Sequence, residues 1–263
     1  MKKFAILGHP VAHSLSPKLH NAVFDALGLN DYHYEALDVL PEQLAGILEQ
    51  MRVGDYQGFS VTIPYKQTII PLLDELSETA KKVGAVNTVV RREDGTLFGD
   101  NTDYAGFKKA LEEAFYPLAP LEGGNDFLTV LVLGSGGAAQ AVIAVLKDLG
   151  FQVTVASRNL RAGMKRYSEL NPEDDYSLIV NTTPVGMSPK VDESPLTDSR
   201  WFRKDRTFVD VIYTPKMTKF LQMAKDVGAK IISGDRMFLW QALEQSKLFT
   251  GREVSVEVRE NLL

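Results

Sequence analysis

The 263-residue sequence contains no cysteine, which excludes disulfides, thiolate metal sites and a cysteine nucleophile together. No apolar run approaches the roughly 20 residues that span a bilayer. The opening Met1-Lys2-Lys3 is followed only by Phe4, Ala5, Ile6 and Leu7 before Gly8-His9-Pro10, an apolar stretch too short for a secretory signal. Basic residues do not exceed acidic ones, and a formal net charge of −5 offers no general attraction to nucleic acid or to anionic membranes. No His/Asp/Glu cluster stands at metal-ligand spacing, so no metal is expected. Internal repeats and low-complexity tracts are absent too. What is left has an ordinary globular composition, 44 % hydrophobic and 24 % charged. Its length suits two compact α/β domains or one large unit, and a reducing cytoplasm is the expected compartment.

Against that plain background one segment stands out. The run Leu128-Thr129-Val130-Leu131-Val132-Leu133 is apolar and rich in β-branched residues. It stops at Gly134-Ser135-Gly136-Gly137 and continues through Ala138 and Ala139 into an apolar helical pattern at Val142, Val145, Leu146 and Leu149. Glycines at such a junction permit a tight turn and close backbone approach, and the first N–H groups of the following helix face an anion. The context predicts a dinucleotide-binding turn rather than a plain βα connection. About 20 residues on, where an NAD-binding fold places a carboxylate for the ribose, the strand Val153 to Ala156 leads into Ser157-Arg158-Asn159. Arg158, with Arg161 and Lys165, suits a 2′-phosphate and hence NADP. The competing reading is a solvated basic patch opening a helix.

The chain divides near residue 120. Before it, strand-like runs (Phe4 to Leu7, Tyr32 to Leu37, Phe59 to Thr62, Ala85 to Val90) alternate with helical ones, which predicts a mainly parallel sheet. One helix is expected to start at a Ser16 cap with Pro17 in its first turn, carry His20, Val23, Phe24 and Leu27 on one face, and end at Gly28. A second is expected over Pro41 to Arg52, and a third from Asp103 toward Ala114 with Thr102 as cap. Tyr116 to Gly124 reads as a loop. Beyond the glycine turn, strands are expected at Ser177 to Asn181, Thr207 to Ile212 and Lys230 to Ile232, with helices between them. Arg236 to Leu263 reads as mostly helical, with Ser246 and Lys247 interrupting its apolar face.

The residues that carry chemistry cluster in the first half. Ser14 and Ser16 follow a strand and suit a polyol or carboxylate, although a mere helix cap explains Ser16 equally well. Ser60-Val61-Thr62-Ile63-Pro64-Tyr65-Lys66 ends a buried-type strand at a proline and then presents an aromatic ring and a lysine. An ammonium held by packing beside a cleft can deliver a proton; the alternative is a solvated lysine at a helix start. Gly84 to Thr88 and Gly99 to Asp103 add Asn87 and Asp103, the latter also explicable as a carboxylate favoured by a helix N-terminus. Together, one lysine, one aspartate, one asparagine and several hydroxyls beside a dinucleotide turn make a plausible hydride-transfer site.

These pieces resemble one family. Gly8-His9-Pro10 with His13 to Pro17 and His20-Asn21, Val61 to Lys66, Gly84 to Thr88, Gly99 to Asp103, Gly134 to Ala139, Asn181 to Met187, Asp210 to Pro215, and the spacing of Gly234, Met237 and Gln241 are similar to the ordered motifs of the shikimate dehydrogenases. The resemblance implies NADPH-dependent, reversible reduction of 3-dehydroshikimate to shikimate in aromatic amino-acid biosynthesis. By position it makes Lys66 and Asp103 the catalytic pair and Ser14, Ser16, Thr62, Asn87, Tyr213 and Gln241 substrate contacts. It assigns the cofactor to Gly134, Ser135, Gly136, Gly137, Ala138, Ser157, Arg158, Arg161, Val211 and Gly234, with Glu78 added.

The implied architecture is a substrate domain over 1–103, a doubly wound, Rossmann-like cofactor domain over 104–235, and C-terminal helices over 236–263 returning to the first, with a cleft that closes on ligand. No nucleic acid or membrane partner is implied, and the chain is expected to be a monomer or homodimer. The sequence departs from the family pattern at Ser157-Arg158-Asn159, at Gln140, at Ser60 where asparagine is usual, and at Asp235-Arg236. Two rival readings are a quinate/shikimate dehydrogenase with relaxed substrate or cofactor use, and a non-catalytic metabolite sensor. An acidic residue at the 157–159 tip would favour the first and loss of Lys66 or Asp103 the second; the sequence has neither feature.

Overall fold

A computed structural model describes residues 1–115, 129–255, 258 and 262. The chain forms two compact units, one from Met1–Gly106 and Leu239–Leu263, the other from Phe107–Phe238.

The first unit is built on β1 (Lys2–Gly8), α1 (Ser16–Ala26), β2 (Tyr32–Asp38), α2 (Leu44–Arg52), β3 (Gly58–Val61), β4 (Glu75–Leu76), α3 (Glu78–Val83), β5 (Thr88–Arg91) and β6 (Leu97–Asp100). Helix α4 (Thr102–Ala114) begins in it. Its strands form one sheet in the order β2-β1-β3-β5-β6-β4. β1 runs parallel to β2 and to β3, and β4 parallel to β6, whereas β5 is antiparallel to both of its neighbours. One face buries Leu7, Leu48, Met51, Phe59, Val89 and Leu97. Phe4, Phe24, Tyr34 and Phe249 form a second apolar cluster in which the Phe4 ring lies 5.3 Å from Phe24 and 5.1 Å from Phe249.

Several expectations need correction. Ala85, Val86 and Asn87 precede β5 instead of belonging to it; Val86 gives its N–H to the Lys66 carbonyl in the turn that follows β3 rather than to a neighbouring strand. Ser16 does not cap α1: the cap position falls on Leu15, with no side-chain bond, and Ser14 Oγ accepts from the Ser16 N–H at 3.2 Å. Gly28, at φ +70°, does end that helix as expected. Thr102 lies inside α4, and Asn101 accepts from the Tyr104 N–H at 3.2 Å in its place. β4, α3 and β6 went unread, being too short for a period to show.

The second unit holds β7 (Thr129–Leu133), α5 (Gly137–Asp148), β8 (Gln152–Ala156), β9 (Leu178–Asn181), β10 (Thr207–Asp210), α6 (Lys219–Asp226) and β11 (Lys230–Ile232), and α7 (Gly234–Thr250) starts in it. Its sheet, ordered β11-β10-β9-β7-β8, is parallel throughout. The chain leaves β7 toward β8 on one side and returns to β9 on the other, so the order reverses at β7. Ligands of such sheets bind outside the strand carboxyl ends at that switch point. The helix expected between β9 and β10 is replaced by irregular chain with a short 3₁₀ turn at Ser199–Trp201, and the link from β8 to β9 is irregular too, with one at Tyr167–Glu169; the helix expected between β10 and β11 is α6. Arg158 and Arg161 accordingly stand on a loop, not at a helix start. Leu128 and the expected loop over 116–124, apart from the helix end it follows, lie outside the described residues. In the C-terminal stretch one helix, α7, ends at Thr250, and 256, 257, 259–261 and 263 are likewise outside them.

Candidate functional site

Strand polarity gathers the polar residues of the first unit. β1, β3 and β6 point the same way, so their carboxyl ends release Ser14 and Ser16, Thr62 and Lys66, and Asn101 to Asp103 at one end of the sheet. β5 runs the other way, so the residue before its first strand position, Asn87, arrives at that same end. The register Ser60↔Thr88↔Asp100 sets them side by side.

Lys66 sits in a turn, its carbonyl accepting from the Val86 N–H at 2.7 Å. Its ammonium donates to Asp103 Oδ2. Only 15 % of the lysine side chain and 6 % of the aspartate are exposed, so the solvated-lysine reading does not hold. Two desolvated charges need further hydrogen bonds to be tolerated. Asn87 supplies one, its Nδ2 donating to Asp103 Oδ1 at 2.9 Å, and Asp103 in the first turn of α4 also faces the positive end of that helix. Asn87 is held in turn, since its Oδ1 accepts from the Thr102 N–H at 2.7 Å and from Thr88 Oγ1 at 2.9 Å. Gln241, on α7, accepts from Asn87 Nδ2 at 3.5 Å. Tyr65 turns inward, its hydroxyl donating to the Val39 carbonyl, so the motif offers the site its lysine and not its ring.

Thus Lys66, Asp103, Asn87 and Gln241 form one hydrogen-bonded group. Thr62 is half-buried, with its N–H on the Leu7 carbonyl at 2.9 Å; Ser14 is half-buried and Ser16 buried. Tyr213 belongs to the second unit, where its ring stacks on Phe238 at 4.2 Å. Glu78 is an exposed α3 residue paired with Lys81 at 2.7 Å.

Sequence reading missed a second buried group on the first unit: Tyr34, Ser60, His20, Gln245 and Ser246. His20 Nδ1 lies 2.8 Å from Ser246 Oγ and its Nε2 3.2 Å from Gln245 Oε1. Burial pushes the His20 imidazole down to about 3, against the raising effect of Gln245. The only visible signal was polar residues at core spacing on α1 and α7.

In the second unit, Gly134 closes β7 at φ +113°, where a β-carbon would come within 2.6 Å of Thr182 Oγ1. Gly136 precedes α5 with extended backbone and no side-chain cap, and a β-carbon there would meet nothing within 4 Å. Open space in front of uncapped helix N–H groups at the switch point fits a pyrophosphate. Ser135 Oγ lies 2.7 Å from Ser157 Oγ at the tip of β8, and Arg158 and Arg161 beyond it are exposed. Gly137 and Ala138 begin α5. Gly234 lets the start of α7 lie against the Val211 and Ile212 carbonyls, where any side chain would collide. The two unusual charges after it are both paired: Asp235 Oδ2 with Lys216 Nζ at 2.6 Å, and Arg236 with both Glu113 oxygens at 2.6 and 2.7 Å. Asp210 is buried and accepts from Asn181, Thr218 and the Ile212 N–H, yet burial still pushes its carboxyl up to about 6.

Comparison with known proteins agrees with this geometry. Residues 6–89 match the family model for the shikimate dehydrogenase substrate binding domain. A protein of Moorella thermoacetica named shikimate dehydrogenase (NADP(+)) is 39 % identical, the alignment covering 98 % of this chain and 91 % of that protein. One of the same name from Methanocaldococcus jannaschii is 37 % identical over 100 % of this chain and 96 % of its own. A crystal structure of shikimate 5-dehydrogenase from Thermus thermophilus in complex with NADP(H) and shikimate superposes with a TM-score of 0.84 at 36 % identity, covering 100 % of this chain and 98 % of that one. With full-length relatives well above 30 % identity and its motif residues gathered at the strand ends, the chain belongs to the shikimate dehydrogenase family.

Proposed function

We propose that this protein catalyses the reversible, NADP-dependent reduction of 3-dehydroshikimate to shikimate, and that the buried Lys66–Asp103 pair, held by Asn87, is its catalytic centre. That pair is the observation that carries the reading, because a ketone reduction needs a proton at the carbonyl oxygen as negative charge grows there. The first unit would bind the substrate and the second the nucleotide. NADPH, when bound, supplies the hydride. Gly134 to Ala138 would cradle its pyrophosphate, Ser157, Arg158 and Arg161 its adenosine end and 2′-phosphate, and Val211 and Gly234 its remaining contacts, with Glu78 a further candidate.

Within the first unit Lys66 donates the proton to the carbonyl oxygen and takes it back in the reverse direction. Asp103 orients the ammonium through Oδ2 and is itself oriented by Asn87 through Oδ1. Ser14 and Ser16 would take the substrate carboxylate, and Thr62, Asn87 and Gln241 its hydroxyls, with Tyr213 a further candidate contact. No helix among the described residues is long and apolar enough to cross a membrane. Our reading makes the enzyme a cytoplasmic monomer or homodimer, which fractionation and sedimentation would check.

The direct test follows NADPH absorbance with 3-dehydroshikimate, with 3-dehydroquinate and NADH as parallel substrates. Rapid turnover only with NADPH and 3-dehydroshikimate is expected. Comparable rates with NADH or dehydroquinate point to the broader quinate/shikimate enzyme, and tight binding without turnover to a sensor.

A further inference from the structure

The amide of Gln245, on α7, ties the buried polar group of the first unit to Asn87. The Asn87 backbone carbonyl can only accept, so Gln245 must present its NH₂ to it, 3.1 Å away. The amide oxygen therefore faces Ser60 Oγ at 2.7 Å and His20 Nε2 at 3.2 Å, and both must donate. His20 is neutral at this depth, so a proton on Nε2 leaves Nδ1 to accept from Ser246 Oγ. Ser60, having given its proton to Gln245, accepts from the Tyr34 hydroxyl at 2.6 Å. One carbonyl thus dictates the donor and acceptor in each of these bonds, which join α1, β2, β3 and α7. A network this fully satisfied specifies a single geometry.

At its far end that geometry meets the reacting groups. Asn87 C=O accepts from Gln245 and from the Val61 N–H at 2.7 Å, and the side chain of the same residue donates to Asp103. We propose that Gln245 is a positioning residue for the reaction proposed above: by fixing Asn87 it sets the orientation of Asp103 and, through it, of Lys66. The proposal rests on that reading of function. An apolar side chain of the same length fills the space of Gln245 but leaves the Asn87 carbonyl with Val61 alone and strips Ser60 and His20 of their acceptor.

The test pairs spectroscopy with kinetics. Histidine ¹⁵N shifts of the wild-type protein are expected to show His20 neutral near pH 6 with its proton on Nε2; a proton on Nδ1 overturns the network. Gln245→Met, assayed in the shikimate-oxidising direction with NADP⁺, is expected to lose about tenfold in kcat, or ~1.4 kcal/mol of barrier, with KM for shikimate within about threefold. Because Gln245 acts through Asn87, that loss is expected to vanish when Gln245→Met is added to Asn87→Ala. An unchanged kcat, an effect confined to KM, or the same tenfold loss in the Asn87→Ala background would each overturn the proposal. Should Gln245→Met fail to fold, Ser60→Ala removes one anchor of the amide and carries the same cycle, with a smaller loss of about threefold expected. A wild-type protein that does not oxidise shikimate would remove the functional reading and this proposal together, whereas an active wild type with an unaffected Gln245→Met would remove this proposal alone.

Discussion

Lys66 is the residue on which the proposed chemistry turns, because its ammonium is shielded, paired with Asp103, and placed at the carboxyl end of β3. On the proposed mechanism, replacing it with alanine removes a proton donor used in the transition state more than a ground-state contact. Lys66→Ala is therefore expected to lose about 10²- to 10⁴-fold in kcat with KM raised no more than about threefold, as steady-state kinetics would show. A variant with near-normal kcat would take Lys66 out of the mechanism. Of this constellation, Lys66, Asp103 and Asn87 were legible in the sequence as motif residues, but what joins them was not. Nothing in Gly84 to Thr88 says that Asn87 donates to Asp103, since that depends on an antiparallel strand. His20 read as one more position on the apolar face of α1, and Ser246 as an interruption on α7. Each is the other's hydrogen-bond partner, 226 residues apart, and no local pattern encodes such a pairing.

At the scale of elements, the strand and helix on either side of the glycine turn between β7 and α5 were legible because their requirements are local: an apolar strand, a positive φ, an open helix start. Gly134 and Gly136 meet different ones. Gly134→Ala forces a β-carbon into a φ of +113° and against Thr182 Oγ1. It is expected to lower unfolding stability by about 1–3 kcal/mol in denaturant melts. Gly136→Ala meets no protein atom within 4 Å, so its melting temperature is expected to stay near wild type while Kd for NADPH rises, as titration calorimetry would show. Equal stability losses in the two variants would contradict this division of roles. The elements that escaped notice are the short ones. β4 is a two-residue strand, and α3 is one and a half turns that Ser77 caps by accepting from the Ala80 N–H at 2.9 Å. The link from β9 to β10 looked helical in the sequence yet folds as irregular chain, and Arg206 holds it to the link before β9 by donating to the Trp201, Pro172 and Asp174 carbonyls.

At the scale of the whole molecule, the two units carry buried groups that answer to acid in opposite ways. His20 in the first has its folded pKa near 3, below its ordinary 6.5. The unfolded chain thus binds the extra proton, and stability is lost as pH falls from about 6.5 toward 3. Asp210 in the second has its folded pKa near 6, above its ordinary 3.8. There the folded chain holds the extra proton, and stability is lost as pH rises from about 4 to 6, then levels off. Each contribution is on the order of a few kcal/mol. The two tryptophans separate the effects, since Trp240 lies in the first unit and Trp201 in the second. In denaturant melts across pH 4–7, Asp210→Asn is expected to remove a falling component reported by Trp201, and His20→Gln a rising one reported by Trp240. Identical pH profiles for variant and wild type would argue against both assignments.

The antiparallel course of β5 has one more implication, for anyone wishing to attach something to this protein. By delivering Asn87 to the reactive end of the sheet, β5 carries its turn into β6 to the other end. That turn closes over Arg92 to Gly95, with Arg92, Glu93 and Asp94 exposed and Gly95 at φ +87°. Four strand residues put it ~13 Å from the register pair beside Asn87. Because the chain is also free of thiols, a single cysteine introduced by Glu93→Cys gives a unique attachment point for a fluorophore, a surface tether or a fused domain, at the end of the sheet opposite Asn87.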